Sequence, residues 1–281
     1  MGQVVNTLAF PVPELPPAFY AQDLERRRDL LYLTTTAGER IPACHVKCKP
    51  QTHTCGGADF LTVHTQPWRW TLLYSHGNAE DLGLQMDYIE TLAEETQTNV
   101  FCYEYVGYSL SRIAGEQPSE EGCIRSIDAA WRYCTGVLKI PPEQIVLYGR
   151  SIGTGPSVDL ASRQTVEKCD ASPQNVGGVL LQSPLESGAR VVAGPNTSFF
   201  GYILGLDIFT NYAKVDKIAA PVAIIHGTED EVVPVENGRN LYKSLKCPYE
   251  PAWVKGRGHN DIPHEECFRY LQNFLAHLSV A

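Results

Sequence analysis

One serine, one acid and one histidine, met in that order along the chain, invite a chemical reading. The serine is Ser151, within Ile145-Val146-Leu147-Tyr148-Gly149-Arg150-Ser151-Ile152-Gly153-Thr154-Gly155. An apolar run suited to a buried strand enters a turn whose glycines flank the serine, and small residues then open a helix. This is the G-x-S-x-G nucleophile elbow, in which a sharp strand-to-helix turn holds the hydroxyl clear of the backbone. A serine hydroxyl is a weak nucleophile until a base takes its proton, and the base needs a carboxylate to fix its tautomer. Ser, acid, His is the chain order that accompanies a serine on such a turn. Asp230, in His226-Gly227-Thr228-Glu229-Asp230-Glu231, and His259, in Gly256-Arg257-Gly258-His259-Asn260-Asp261, supply it. Each follows an apolar strand, and reactive groups gather at the carboxyl ends of parallel strands. Glu229 and Glu231 are the competing acids and His264 the competing base, but the first two flank Asp230 as solvent-facing neighbours and His264 opens a terminal helix; Asp261 is too close in sequence to His259 for the usual order. The developing oxyanion needs backbone N–H donors. Ile152, next to the nucleophile, supplies one, and the turn His76-Gly77-Asn78-Ala79 supplies another from Asn78, with Ala79 as the off-by-one alternative. His76 and His226 read as structural histidines at strand ends.

The elements that must position these groups alternate. Asp29 to Thr35 and Arg40 to Lys47 form an opening hairpin around Ala37-Gly38. Strands are expected at Trp70–Ser75, Val100–Tyr105, Ile145–Gly149, Gly178–Gln182, Pro221–His226 and Ala252–Lys255. Helices are expected over Asp87–Thr96, from Ser119 onward, over Gly153–Arg163, around Leu241–Leu245 and over Glu265–Leu278. This alternation implies a mostly parallel sheet with helices on both faces. With no internal repeat or low-complexity tract, the sequence reads as a Pro-containing segment over 1–28 followed by a single α/β domain over 29–281. Between Ser183 and Pro221 the aromatic-rich stretch around Phe199, Phe200, Tyr202, Phe209 and their aliphatic neighbours is the one segment long enough to be a small cap. It either packs onto the sheet or forms an apolar groove beside Ser151.

Composition narrows the classes further. At 281 residues with 43% hydrophobic residues the chain can bury a sizeable core, and a net charge of −9 lacks the basic footprint of a nucleic-acid binder. The nine cysteines, an odd number with several inside strands and helices, read as reduced intracellular thiols. Cys44, His45, Cys48, His53 and Cys55 follow no common zinc spacing, so neither a metal nor a cofactor is expected. No secretory leader and no spanning run is visible. The expectation is a cytoplasmic protein, or one held peripherally at the cytosolic face of membranes. Met1-Gly2 raises myristoylation, but Asn6 stands where that motif requires Ser or Thr.

With these residues on the page, the chain resembles the α/β-hydrolase domain-containing protein 17 family, whose members remove palmitate from cysteines of membrane-associated proteins. The matching segments are Ser75 to Gly83, Ile145 to Gly153, Val158 to Arg163, Ile224 to Val233 and Gly258-His259-Asn260-Asp261-Ile262. The resemblance implies the α/β-hydrolase fold, with Ser151, Asp230 and His259 as nucleophile, acid and base. It also implies S-acylated proteins as substrates and partners. It does not extend to the amino-terminal cysteine cluster typical of such members, since the first cysteine here is Cys44.

Three functions follow from these readings. The first is a serine hydrolase cleaving fatty-acyl thioesters through an acyl-Ser151 intermediate. The second is a lipid or carboxyl esterase, or a serine peptidase, using the same triad. The third, from a different class, is a catalytically silent binding module.

Overall fold

Residues 10–49, 69–164, 175–193 and 207–280 are described by the structure, a computed structural model. Gly2, His53, Cys55 and most of the apolar cap residues, Phe199 to Leu206, therefore lie outside the described residues.

The chain enters through a short helix, α1 (Pro17–Gln22), and the hairpin β1 (Leu30–Thr34) and β2 (Arg40–Val46). Then come β3 (Thr71–Ser75), α2 (Leu82–Thr96), β4 (Asn99–Tyr103), a short α3 (Ser109–Ile113) and α4 (Glu120–Arg132). The elbow unit is β5 (Ile145–Arg150) and α5 (Thr154–Arg163). The second half runs β6 (Gly178–Gln182), α6 (Gly188–Ala193), β7 (Val222–Gly227), α7 (Val235–Ser244), β8 (Ala252–Val254) and α8 (His264–Val280).

Among the described residues, eight strands form one sheet in the order β1-β2-β4-β3-β5-β6-β7-β8. Only the pairings of β2 with β1 and β4 are antiparallel; the rest are parallel. This is the opening hairpin and mostly parallel sheet that the sequence implies. The strands read as unbroken apolar runs because helices cover both faces. On β5, Ile145 and Leu147 enter one core with Ile127 and Trp131 of α4 and Val158 of α5. Val146 and Tyr148 point the other way, into a second core with Ile89 and Leu92 of α2 and Leu271 and Phe274 of α8.

Two boundaries differ from the sequence reading in ways that matter for the site. The helix expected from Asp87 begins at Leu82, because Asp81 caps it by accepting a hydrogen bond from the Leu84 N–H at 2.9 Å. The strand expected to continue to Tyr105 ends at Tyr103; the Glu104 N–H still donates to Pro42 O of β2 at 2.9 Å, while the Tyr105 N–H donates to the Glu104 side chain. Residues ahead of β1 also join the packing. Phe10 meets Phe209 edge-on at 6.2 Å, and the Tyr20 hydroxyl donates to Asp81 at 2.6 Å. Within the cap segment, Phe209 is buried and its N–H donates to Glu120 at 2.8 Å, so this residue takes the packing role. Among the described residues, no helix is long and apolar enough to cross a membrane.

Candidate active site

Ser151 follows β5 with φ of +52°, a left-handed backbone that L-residues adopt only under constraint. Its constraint is the next turn: Ser151–Gly153 forms a single 3-10 turn before α5 starts. A Cβ added at Gly153 would lie 2.2 Å from the Ser75 carbonyl oxygen and 2.7 Å from that of His76. The elbow therefore rests directly on the end of β3, and a methyl group there must push two backbones apart. Gly153→Ala is expected to destabilise by about 3 kcal/mol, the upper range of overpacking, lowering Tm by roughly 6–12 °C. Gly136→Ala is the control, since nothing lies within 4 Å of a Cβ there. Thermal melts of the two variants compare them, and equal melts would refute the close approach.

Asp230 follows β7. Its Oδ1 accepts the N–H groups of Val232 at 3.0 Å and Val233 at 2.7 Å, which turns Oδ2 inward. His259 follows β8 on a loop laid tightly against β7. A Cβ on Gly227 would lie 2.2 Å from the Arg257 carbonyl oxygen, so only glycine there lets the acid-bearing and histidine-bearing loops touch. The Glu229 N–H donates to Arg257 O at 2.8 Å and completes the contact. Through these constraints three residues far apart in sequence meet. His259 Nδ1–H donates to Asp230 Oδ2 at 2.8 Å, and the Ser151 hydroxyl lies 2.9 Å from His259 Nε2, the geometry for donating its proton to that nitrogen. All three are buried.

Burial alone would raise the Asp230 carboxyl, but hydrogen bonds from His226 and His259 and the backbone N–H of Val233 outweigh it and hold it well below the usual carboxylate range. His226 Nε2–H is shared between Val233 O at 2.8 Å and Asp230 Oδ2 at 3.2 Å. His226 is thus structural in the sense anticipated, bonding a neighbouring loop, and it also touches the acid itself.

The competing residues are placed elsewhere. Glu229 and Glu231 are exposed; Glu231 accepts the His259 backbone N–H at 3.3 Å and steadies that loop. Asp261 accepts the Gly258 N–H. His264 is exposed at the start of α8, with its ring 4.9 Å from Tyr88. Ile152 sits buried in the elbow turn, one residue after the nucleophile. Asn78 is half-buried in the turn after β3, where its Oδ1 accepts from Tyr108 Oη at 2.6 Å. A cleft of about 390 Å³ opens at His259, lined also by Glu229, Glu231, Gly256, Asn260 and Asp261.

Two features of the site escape a sequence reading. Arg150, inside the elbow motif, pairs with Glu80 of the turn after β3 and donates to Asn260 Oδ1 at 2.8 Å, joining three loops. Its position beside Ser151 is visible in sequence, but its partners are not. Glu104 is fully buried against the same turn; the available signal was an acid set between tyrosines at the end of an apolar strand. Of the cysteines, residues 44, 48, 102, 123, 134, 247 and 267 are free thiols, and no cluster of His, Cys, Asp or Glu among the described residues could hold a metal.

A strand-to-helix serine, an acid after β7 and a histidine after β8 on this sheet define an α/β hydrolase. Solved structures share that fold. Est1E from Butyrivibrio proteoclasticus aligns with a TM-score of 0.63 at 17% identity, covering 90% of this chain and 100% of that one. An alpha-beta serine hydrolase homologue from Coxiella burnetii aligns with a TM-score of 0.57 at 16% identity, covering 89% and 96%. Residues 58–175 match the family model described as Chlamydia CHLPS protein. The chain is 39% identical over 243 residues to Alpha/beta hydrolase domain-containing protein 17B of Xenopus laevis, covering 86% of this chain and 73% of that protein. It is 36% identical over 250 residues to protein 17C of Mus musculus, covering 89% and 68%. The chain belongs to the alpha/beta hydrolase domain-containing protein 17 family.

Proposed function

We propose that this hydrolase cleaves fatty-acyl thioesters of S-acylated proteins through an acyl-Ser151 intermediate. The observation that supports it is the unbroken chain from Ser151 Oγ through His259 to Asp230, at 2.9 and 2.8 Å. The family resemblance supplies the substrate class. In this reading His259 Nε2 takes the hydroxyl proton as Ser151 Oγ attacks the thioester carbonyl. The oxyanion is met by the N–H groups of Ile152 and Asn78. The C–S bond then breaks, His259 returns the proton to the cysteine sulfur, and the acyl group stays on Ser151. His259 next deprotonates a water that attacks the acyl carbon, releasing the fatty acid and restoring the serine hydroxyl. The natural partner is an S-acylated protein met at the cytosolic face of a membrane.

The test is hydrolysis of cysteine peptides acylated with chains of increasing length, beside matched oxygen esters, with Ser151→Ala as the control. Activity should rise with length, since each buried CH₂ adds roughly 0.8 kcal/mol where an apolar groove takes the chain. Turnover of short oxygen esters with no turnover of any acylated cysteine would move the chain to the esterase reading. No labelling of Ser151 by a fluorophosphonate, under conditions that label a known serine hydrolase, would mark a silent module.

A further inference from the structure

We infer that His76 is a positioning residue for the oxyanion hole: a buried imidazolium, held by Glu104, that fixes and polarises the peptide unit carrying the Asn78 N–H. This rests on the reading of Asn78 as an oxyanion donor.

The hydrogen bonds determine the charge. Glu104 accepts at both oxygens: Oε1 from the Tyr105 N–H at 2.9 Å and Oε2 from the Leu82 N–H at 2.9 Å. His76 Nε2 lies 2.8 Å from Oε1. Both Glu104 oxygens already serve as acceptors of backbone N–H groups, so the proton of the His76 bond is placed on Nε2. His76 Nδ1 lies 2.8 Å from the Gly77 carbonyl oxygen, which can only accept. Both ring nitrogens therefore donate, and the ring is a cation paired with an anion where neither is exposed to solvent.

The Gly77 carbonyl and the Asn78 N–H belong to one peptide. A cation bonded to the oxygen draws electron density from the nitrogen and makes the N–H a stronger donor. It also fixes the peptide plane, so the dipole needs no reorganisation as negative charge appears on the substrate. The rest of the turn is tied down at neighbouring atoms. Tyr105 Oη donates to His76 O at 2.8 Å, the Gly77 N–H donates to Glu80 at 2.7 Å, and Tyr108 Oη donates to Asn78 Oδ1 at 2.6 Å. The titratable groups facing the ring are Glu104 after β4, Asp81 before α2, and Tyr105 and Tyr108, whose rings lie 4.2 and 5.7 Å away. Burial opposes the charge on His76, but Glu104, its hydrogen bond, the Gly77 carbonyl and Asp81 outweigh it and hold the ring's proton above the ordinary histidine range. Deprotonation as pH rises would leave one ring nitrogen without its proton and release one of the two bonds.

Glu104→Gln removes the charge at constant side-chain size. With its nitrogen at the Oε1 position the amide donates to Nε2 of a neutral His76, whose Nδ1–H still bonds Gly77. The Tyr105 N–H is left facing a donor, so the melt should fall while the Gly77 bond is kept and the positive charge is lost. In steady-state hydrolysis of the best acyl substrate, kcat should fall roughly 10-fold, below the 10²–10³ of losing a whole donor. KM should stay within about twofold. The alkaline fall in wild-type kcat caused by His76 deprotonation should be absent from the variant. If Glu104→Gln does not fold, the double variant His76→Asn/Glu104→Gln, which keeps a neutral donor at the Nδ1 position, takes the same measurements. Wild-type kcat in a folded neutral variant overturns the inference. Turnover surviving in Ser151→Ala would instead overturn the serine reading beneath it, so the two failures are distinguishable.

Discussion

Ser151→Ala is expected to lower kcat for acyl-ester hydrolysis on the order of 10⁶-fold, with a thermal melt close to that of the wild type. The triad acts as a unit, so removing the nucleophile forfeits the proton transfers as well as the covalent step. The melt should hardly move. Alanine keeps the strained φ of +52° that serine has, and it gives up only the hydroxyl's bond to His259 at 2.9 Å. Ser151→Gly should be equally inactive yet more stable, by about 1 kcal/mol, since glycine adopts that backbone without strain. An inactive Ser151→Gly that melts above the wild type would show strain stored at the nucleophile. Retained turnover in either variant would place the nucleophile elsewhere.

Asp230→Asn should cost on the order of 10⁴-fold in kcat, and the geometry explains why an isosteric change is so severe. Oδ1 must go on accepting the N–H groups of Val232 and Val233, so the new amide nitrogen takes the Oδ2 position facing His259 and His226. A donor opposite His259 Nδ1 turns that nitrogen into an acceptor and moves the proton to Nε2. The histidine then donates to Ser151 where it should accept. The same exchange sets two donors against each other at His226. Stability will also respond to pH. A carboxyl held below its ordinary value stabilises the fold above the unfolded value, about 4, and that contribution is lost as pH falls through the folded value. The stability gap between wild type and Asp230→Asn should therefore narrow below about pH 4. Melts at neutral and acid pH, with kcat at neutral pH, test both halves. Near-wild-type kcat would mean that Asp230 does not orient His259.

Much of the architecture was legible because parallel strands under two helical layers must be apolar throughout, and Leu147, Leu180 and Ile224 mark three of them. Boundaries were less so. Asp81 starts α2 through a capping bond, whereas the apolar periodicity becomes clear only from Asp87. The short helices α1, α3 and α6 went unseen because so few residues display no helical period. Phe10 and Tyr20 fall in the Pro-containing segment over 1–28, since nothing local reveals that Phe209 and Asp81 pack against them.

The sequence by itself determined which atoms are available for chemistry: a glycine-framed serine, then Asp230, then His259, each after a strand. Local rules suffice for that, because turn chemistry and strand ends are written in neighbouring residues. The tertiary structure decided how those atoms are held. Gly153 against Ser75, Gly227 against Arg257, Arg150 across three loops, and Glu104 beneath His76 are all contacts between segments distant in the chain. Their charge states and close approaches depend on burial and on partners from other strands, which no stretch of neighbouring residues contains.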